Sequence, residues 1–226
     1  MPNDPRATFE VRISGLAGLG DAVTRLEDGR VVLVPGGVPG DRVRIAQERR
    51  RGGVARARIV ELLEPSMDRV EPRCPVAARC GGCTWQHVGL DAQRRAKADL
   101  ARRALGPDAP ALQLDDRVPA FAHRRRVRLH LRRGGGRLQT GFMAAGSDVF
   151  VGTATCAVLE PALEALLARL GPVLDPWVER GELHAVTGVE GVIAALFARP
   201  RPGHPDLDAA ALSAALGLAG WRARLG

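Results

Sequence analysis

The chain has 226 residues, 46% of them hydrophobic, with 33 Lys and Arg against 25 Asp and Glu and a net charge of +8. That apolar share excludes wholesale disorder, and no apolar run approaches the roughly 20 residues a membrane-spanning helix needs. The cationic excess, nearly all arginine because Lys97 is the single lysine, points to a polyanionic partner. Met1-Pro-Asn-Asp-Pro-Arg has no apolar export segment, so a cytoplasmic protein is expected.

Residues 8–64 read as short strands between turns. Thr8–Ser14 and Asp41–Ala46 alternate polar and apolar residues, Arg30–Pro35 is a compact apolar strand, and Val54–Leu62 closes the set. Gly36-Gly37 and Pro39-Gly40 supply turns. About five short strands in this span predict a small closed barrel of the OB type, a fold that often binds oligonucleotides. Gly15-Leu-Ala-Gly18-Leu-Gly20 lacks the glycine order and the strand–turn–helix setting of a nucleotide loop. It reads as a hairpin turn.

Glu64–Pro72 is a linker into the densest chemical signal of the chain, Cys74-Pro-Val-Ala-Ala-Arg-Cys80-Gly-Gly-Cys83. The fourth and last cysteine is Cys156. Three close thiolates and one remote one match the ligand count of an iron–sulfur cube. Structural zinc also takes four cysteines, normally as two short pairs, but only Cys80 and Cys83 form such a pair. Disulfides suit short secreted chains, and four unrelated buried thiols are the plainest alternative. His87 is a spare donor, read as an ordinary polar residue because the cysteine set is complete without it.

A helix is predicted over Asp91–Leu105, capped by Asp91 and ended near Gly106-Pro107, and a loop over Pro107–Pro119. Residues 124–132 alternate. Arg124, Arg126, Arg128, His130 and Arg132 fall on one face, and Val127, Leu129 and Leu131 on the other. No Asp or Glu lies between Ala122 and Met143 to separate these cations. Arg124, Arg126, Arg128 and Arg132 are therefore candidate contacts to nucleic-acid phosphates, with a merely solvated strand face as the plainer alternative. Gly134–Gly136 turns the chain into Leu138–Met143, and a strand near Asp148–Gly152 leads to Cys156. A helix over Glu160–Leu170, paired strands at Glu182–Thr187 and Val192–Ala198, and a helix over Leu207–Leu216 complete the reading. Trp221–Gly226 follows with no element assigned.

These residues resemble the N-terminal half of the RNA 5-methyluridine (uracil-C5) methyltransferases. Val34-Pro-Gly-Gly-Val-Pro-Gly40 is similar to the signature turn of their TRAM domain, an OB-type RNA-binding barrel. Cys74-x5-Cys80-Gly-Gly-Cys83-x2-Gln86-His87 resembles their cluster loop, Gln93–Lys97 the helix that follows, and His123–Arg128 their aromatic–Arg–x–basic run. Gly141-Phe142, Gly146-Ser147 and Cys156 fall where the family has its next hairpin and fourth ligand. Two departures stand out: His123 replaces a usual tyrosine, and Met143 a common basic residue.

The resemblance implies an α+β, mostly β protein. Residues 1–66 would be the five-stranded TRAM barrel, and residues 67–226 a small α+β iron–sulfur domain. Cys74, Cys80, Cys83 and Cys156 would hold a [4Fe–4S] cluster. Structured RNA, ribosomal or transfer, would be the partner of a monomer, with no membrane involved. The family's S-adenosylmethionine-binding catalytic domain is expected to be missing, so no catalytic residue is assigned and S-adenosylmethionine would bind only where that domain is present. The alternative is a stand-alone RNA-binding module stapled by a structural cluster or zinc.

Overall fold

The computed structural model describes residues 8–18, 20–51, 54–106, 117–206 and 208–225. They divide into two packed units, residues 1–72 with 83–115 and residues 73–82 with 116–226. The secondary structure is mostly β: two mixed six-stranded sheets and three helices among the described residues.

In the first unit the strands are β1 (Thr8–Arg12), β2 (Gly15–Leu16), β3 (Ala22–Arg25), β4 (Val31–Val34), β5 (Arg42–Arg51) and β6 (Val54–Glu64). Their order is β1-β5-β6-β4-β3-β2, antiparallel except for β4 beside β6. The first and last members of that order are one bent strand. Ile13 N–H donates to Asp41 C=O (2.9 Å), extending the β1–β5 ladder, and Ser14 N–H donates to Val23 C=O (2.9 Å), extending β2–β3. A single strand thus pairs at both edges, and the sheet closes into a five-segment barrel without free edges. Alternation drives the closure: Val11, Ile13, Leu16, Ala22, Val32, Val34, Val43 and Ile45 all point into one core. β3 carries no strong strand signal in sequence and was not anticipated.

Helix α1 (Leu90–Leu105) belongs to this unit and buries Ala92 and Ala98. Its N-cap is Gly89, not Asp91, which lies in the first turn. No side chain caps this end; Gln93 instead ties the first turn to the preceding segment, its Nε2 donating to the carbonyls of Trp85 (3.0 Å) and Val88 (2.9 Å). Gly106 ends the helix as expected. The loop expected from Pro107 falls largely on residues 107–116, outside the described residues.

The second unit contains β7 (Arg126–Gly134), β8 (Arg137–Met143), β9 (Phe150–Gly152), β10 (Val178–Thr187), β11 (Val192–Pro200) and β12 (Leu218–Leu225). Their order is β12-β11-β10-β7-β8-β9. All pairs are antiparallel except β11–β12. One face of this sheet is covered by α2 (Pro161–Leu174) and α3 (Ala209–Leu216). Leu163, Leu166, Leu167, Leu170 and Leu174 recur at helical spacing on α2 and meet Val127, Leu129, Leu131, Leu183 and Leu196 in one core. Asp208 caps α3 by accepting from the N–H groups of Ala210 and Ala211, and Gly217 ends it in the left-handed conformation. Trp221 to Leu225, assigned no element from sequence, belong to strand β12, paired in parallel with β11.

Candidate nucleic-acid interface

With both helices on one face of the second sheet, the opposite face of β7, β10, β11 and β12 is left to solvent. Strand register arranges its side chains in rows. Arg132, Arg180 and Arg199 make one row across β7, β10 and β11. The next is His130, Glu182, Phe197 and Arg224, and the next Arg128, His184, Ala195 and Arg222. The last row joins Arg126, Val186 and Ile193. Val127, Leu129 and Leu131 are buried on the other side, as the alternation predicts.

The four arginines singled out in sequence are not one stripe. Arg126, Arg128 and Arg132 lie on this face, but Arg124 precedes the strand. It makes a single parallel bridge to Leu159, and its guanidinium donates to Gly82 C=O (3.3 Å). The expectation that no acid sits among the cations also fails, because the acid, Glu182, comes from a strand 54 residues further along the chain than Arg128. Glu182 accepts two hydrogen bonds from Arg128, at 2.9 and 2.7 Å. It also stands 3.3 Å from His130 and 3.5 Å from His184. The Arg128 hydrogen bonds hold the Glu182 carboxyl below the ordinary range against some opposing burial, so it stays ionised. Burial lowers the His130 pKa, partly offset by Glu182.

Arg126, Arg132, Arg180, Arg199, Arg222 and Arg224 have no ion-pair partner among the described residues. Four of them, Arg180, Arg199, Arg222 and Arg224, lie outside the sequence reading, although Arg222 and Arg224 had a signal: Trp221-Arg-Ala-Arg-Leu225 alternates as a half-buried strand does. Phe197 stands half exposed (51%) on this face, edge-on to His184 with ring centroids 5.6 Å apart.

The cysteines are distributed as follows. Cys74 and Cys80 lie in the loop that joins the second unit, and Cys156 lies between β9 and α2. Cys83 belongs to the first unit. All four are half-buried. Tight turns wind the loop, with Ala77 N–H to Cys74 C=O (3.1 Å) and Cys80 N–H to Val76 C=O (2.8 Å). Cys80 bridges to Ala144, and Gly81 N–H donates to Met143 C=O (2.9 Å). A Cβ at Gly81 would come within 2.9 Å of the Ala145 backbone, so only glycine allows this approach. Gly82 N–H points at Cys80 Sγ (3.4 Å), a donation that stabilises thiolate charge. Cys156 N–H donates to Glu164 (3.2 Å). In kind, four thiolates suit an iron–sulfur cube. In arrangement, no three Cys, His, Asp or Glu side chains among the described residues form a metal-holding group. His87 lies apart from any such role: its ring nitrogen meets Gly37 C=O at 3.3 Å, and burial lowers its pKa.

The first unit also places a charged hub. Asp41 is fully buried and accepts from the N–H groups of Val38 (2.7 Å) and Ser66 (2.9 Å) and from Arg69 (3.1 and 2.6 Å). Burial alone would raise its pKa, but these hydrogen bonds together hold the carboxyl below the usual range. This hub pins the Val34–Gly40 turn to the segment after β6.

Comparison with known proteins follows the two sheets. Residues 3–60 match the TRAM domain family model, so the barrel is a TRAM domain. RNA uracil-C5 methyltransferases match most of the chain. An uncharacterized RNA methyltransferase of Thermosynechococcus vestitus is 37% identical over 187 residues, covering 79% of this chain and 41% of its own length. The 23S rRNA (uracil(1939)-C(5))-methyltransferases RlmD of Halomonas elongata and Salmonella typhi are 38% and 35% identical, covering 71% and 73% of this chain and 34% and 38% of their own lengths. The chain thus spans well under half the length of these relatives. The fold is that of the Pyrococcus abyssi tRNA (uracil-54, C5)-methyltransferase solved with S-adenosyl-L-homocysteine. The TM-score is 0.64 at 20% identity, over 96% of this chain and 51% of that one. Among the described residues no helix is long and apolar enough to cross a membrane.

Proposed function

We propose that this chain is the RNA-recognition part of an S-adenosylmethionine-dependent RNA uracil-C5 methyltransferase that acts on structured ribosomal or transfer RNA. The observation that carries the reading is the sheet of the second unit. It exposes six arginines without ion-pair partners among the described residues, in a chain whose relatives modify RNA. Arginines on such a face neutralise phosphates and fix register, while base contacts choose the site. Arg126, Arg128 and Arg132 belong to this contact surface, and Arg124 contributes from the edge of the cysteine loop. The TRAM barrel over residues 1–66 adds a second RNA-binding element. The methyl donor, S-adenosylmethionine, serves the relatives' reaction, and the residues named here hold RNA.

Cys74, Cys80, Cys83 and Cys156 are proposed as the ligands of a [4Fe–4S] cluster that braces the second unit. The support is the count and spacing of the thiols and the Gly82 N–H aimed at Cys80 Sγ. Anaerobically purified protein should be brown, with near-stoichiometric iron and sulfide, and Cys80→Ser should lose both. Colourless protein with one tightly held zinc ion refutes the cluster.

Fluorescence anisotropy with an unmodified ribosomal RNA hairpin, transfer RNA and a DNA duplex tests the function. Tighter binding to either RNA than to DNA, falling steeply with salt, is the expected result. Equal binding to DNA, or none to RNA, overturns the reading.

A further inference from the structure

The open face of the second sheet is not uniformly charged. Its rows converge on a cavity of about 650 Å³ whose walls include His130, Arg132, Arg180, Phe197, Arg199 and Arg224. Phe197 lies at the centre. Glu182 is its neighbour across β10 and Arg224 its neighbour across β12. One row further along the strands come Arg132, Arg180 and Arg199. The only carboxylate lining the cavity is Glu182, already engaged by Arg128.

We propose that this cavity is a single-stranded RNA subsite: one unpaired base lies against Phe197, and Arg132, Arg180, Arg199 and Arg224 hold the phosphates on either side of it. This assignment rests on the RNA-binding reading given above and adds the form of RNA that is recognised. Three observations favour an unpaired strand. First, a half-exposed aromatic ring has no use against a duplex, whose base faces are already stacked, but offers a platform to a splayed base. Second, His184 meets Phe197 in a T-shaped contact and is not stacked parallel on it. Third, the arginines flank the ring: Arg224 is its neighbour across β12, and Arg132, Arg180 and Arg199 lie one row along the strands. The volume lies within the range of small-ligand pockets, enough for a nucleotide and too small for a helix of RNA. Four cations around one engaged acid also set the sign of the ligand.

The test uses the full chain and a fluorescein-labelled oligouridylate of about 12 nucleotides, within the site sizes of single-strand binders. An RNA duplex of the same length and poly-glutamate serve as the other probes. Phe197→Ala should weaken oligouridylate binding about tenfold, leave the salt dependence unchanged, and leave duplex binding unchanged. Phe197→Trp should restore affinity, which a merely structural role would not predict. Arg199→Ala with Arg224→Ala should lower the log–log salt slope by about 1.4, from about 0.7 per phosphate on a single strand. Neutral Phe197→Ala in a protein that still binds the ribosomal hairpin overturns the subsite and spares the broader function. No binding to any RNA overturns both. Competition by poly-glutamate as effective as that by oligouridylate overturns the subsite in favour of an acidic protein partner.

Discussion

The two sheets carry similar numbers of arginines and treat them in opposite ways. On the barrel, Arg44 reaches both Glu10 and Glu61, Arg42 reaches Glu10 and Glu64, Arg12 reaches Glu64, and Arg56 meets Asp21. The hydrogen bond from Arg44 is the main reason the Glu10 carboxyl is held below its ordinary pKa. On the open face of the second sheet, one carboxylate, Glu182, faces a field of arginines, and only Arg128 is bound by it. The net charge of +8 is therefore not spread evenly in its effect. A paired arginine must give up its carboxylate to meet a phosphate, whereas an unpaired one displaces the counterions condensed on the RNA without that cost. Unpaired charge, rather than charge, marks the interface.

The largest way to separate the two regions is to damage the barrel alone. Asp41→Ala leaves Arg69 and two buried N–H groups without their acceptor and should cost about 3–5 kcal/mol. Calorimetry should show the barrel melting earlier, while oligouridylate binding in the cold is retained. Simultaneous loss of that binding would show that the interface depends on the barrel. The same residue makes stability pH-dependent. Its folded pKa lies below the unfolded value of about 3.9, so its contribution is complete above that value. It is lost as pH falls through the folded value. Denaturant midpoints between about pH 5 and pH 2 should decline in the wild type, and the decline should be shallower in Asp41→Ala.

A second comparison lies within the open face. Arg126→Ala with Arg222→Ala removes two unpaired charges and should lower the salt slope for single-stranded RNA by about 1.4. Arg128→Ala removes a charge that Glu182 already cancels and should change the slope less than Arg126→Ala does. An equal effect of Arg126 and Arg128 would remove the distinction between paired and unpaired arginines. Glu182→Gln is the converse: it frees Arg128 and should tighten binding and steepen the slope by up to about 0.7. Smallest of all, Arg44→Ala on the barrel should leave the slope for this ligand unchanged, because its partners are Glu10 and Glu61.

Much of the fold was legible because periodicity reports which side of an element is dry. The alternation at Thr8–Arg12, Arg42–Ala46 and Val127–Leu131, and the leucines of Pro161–Leu174, placed strands and a helix where they stand. Short elements carry too few residues to show a period: β3 is four residues long, and the alternation of β12 spans only its last five residues. Gly89 rather than Asp91 is the N-cap of α1, because the helix begins at Leu90 and no side chain caps that end.

The residue chemistry was settled by the sequence itself: an arginine excess, four thiols in a three-plus-one spacing, and no acid near the arginine strand. What those residues face was decided only by tertiary structure. Glu182 neutralises Arg128 because β10 pairs with β7 in a register that puts Glu182 beside His130. Phe197, Arg199, Arg222 and Arg224 join the same face because β11 lies between β10 and β12. Arg124 leaves it because the strand begins two residues later, at Arg126. The physical reason is common to all three cases. Side-chain periodicity is local to a strand and can be read along it, whereas cross-strand neighbours depend on sheet order and register, which only the packed chain sets.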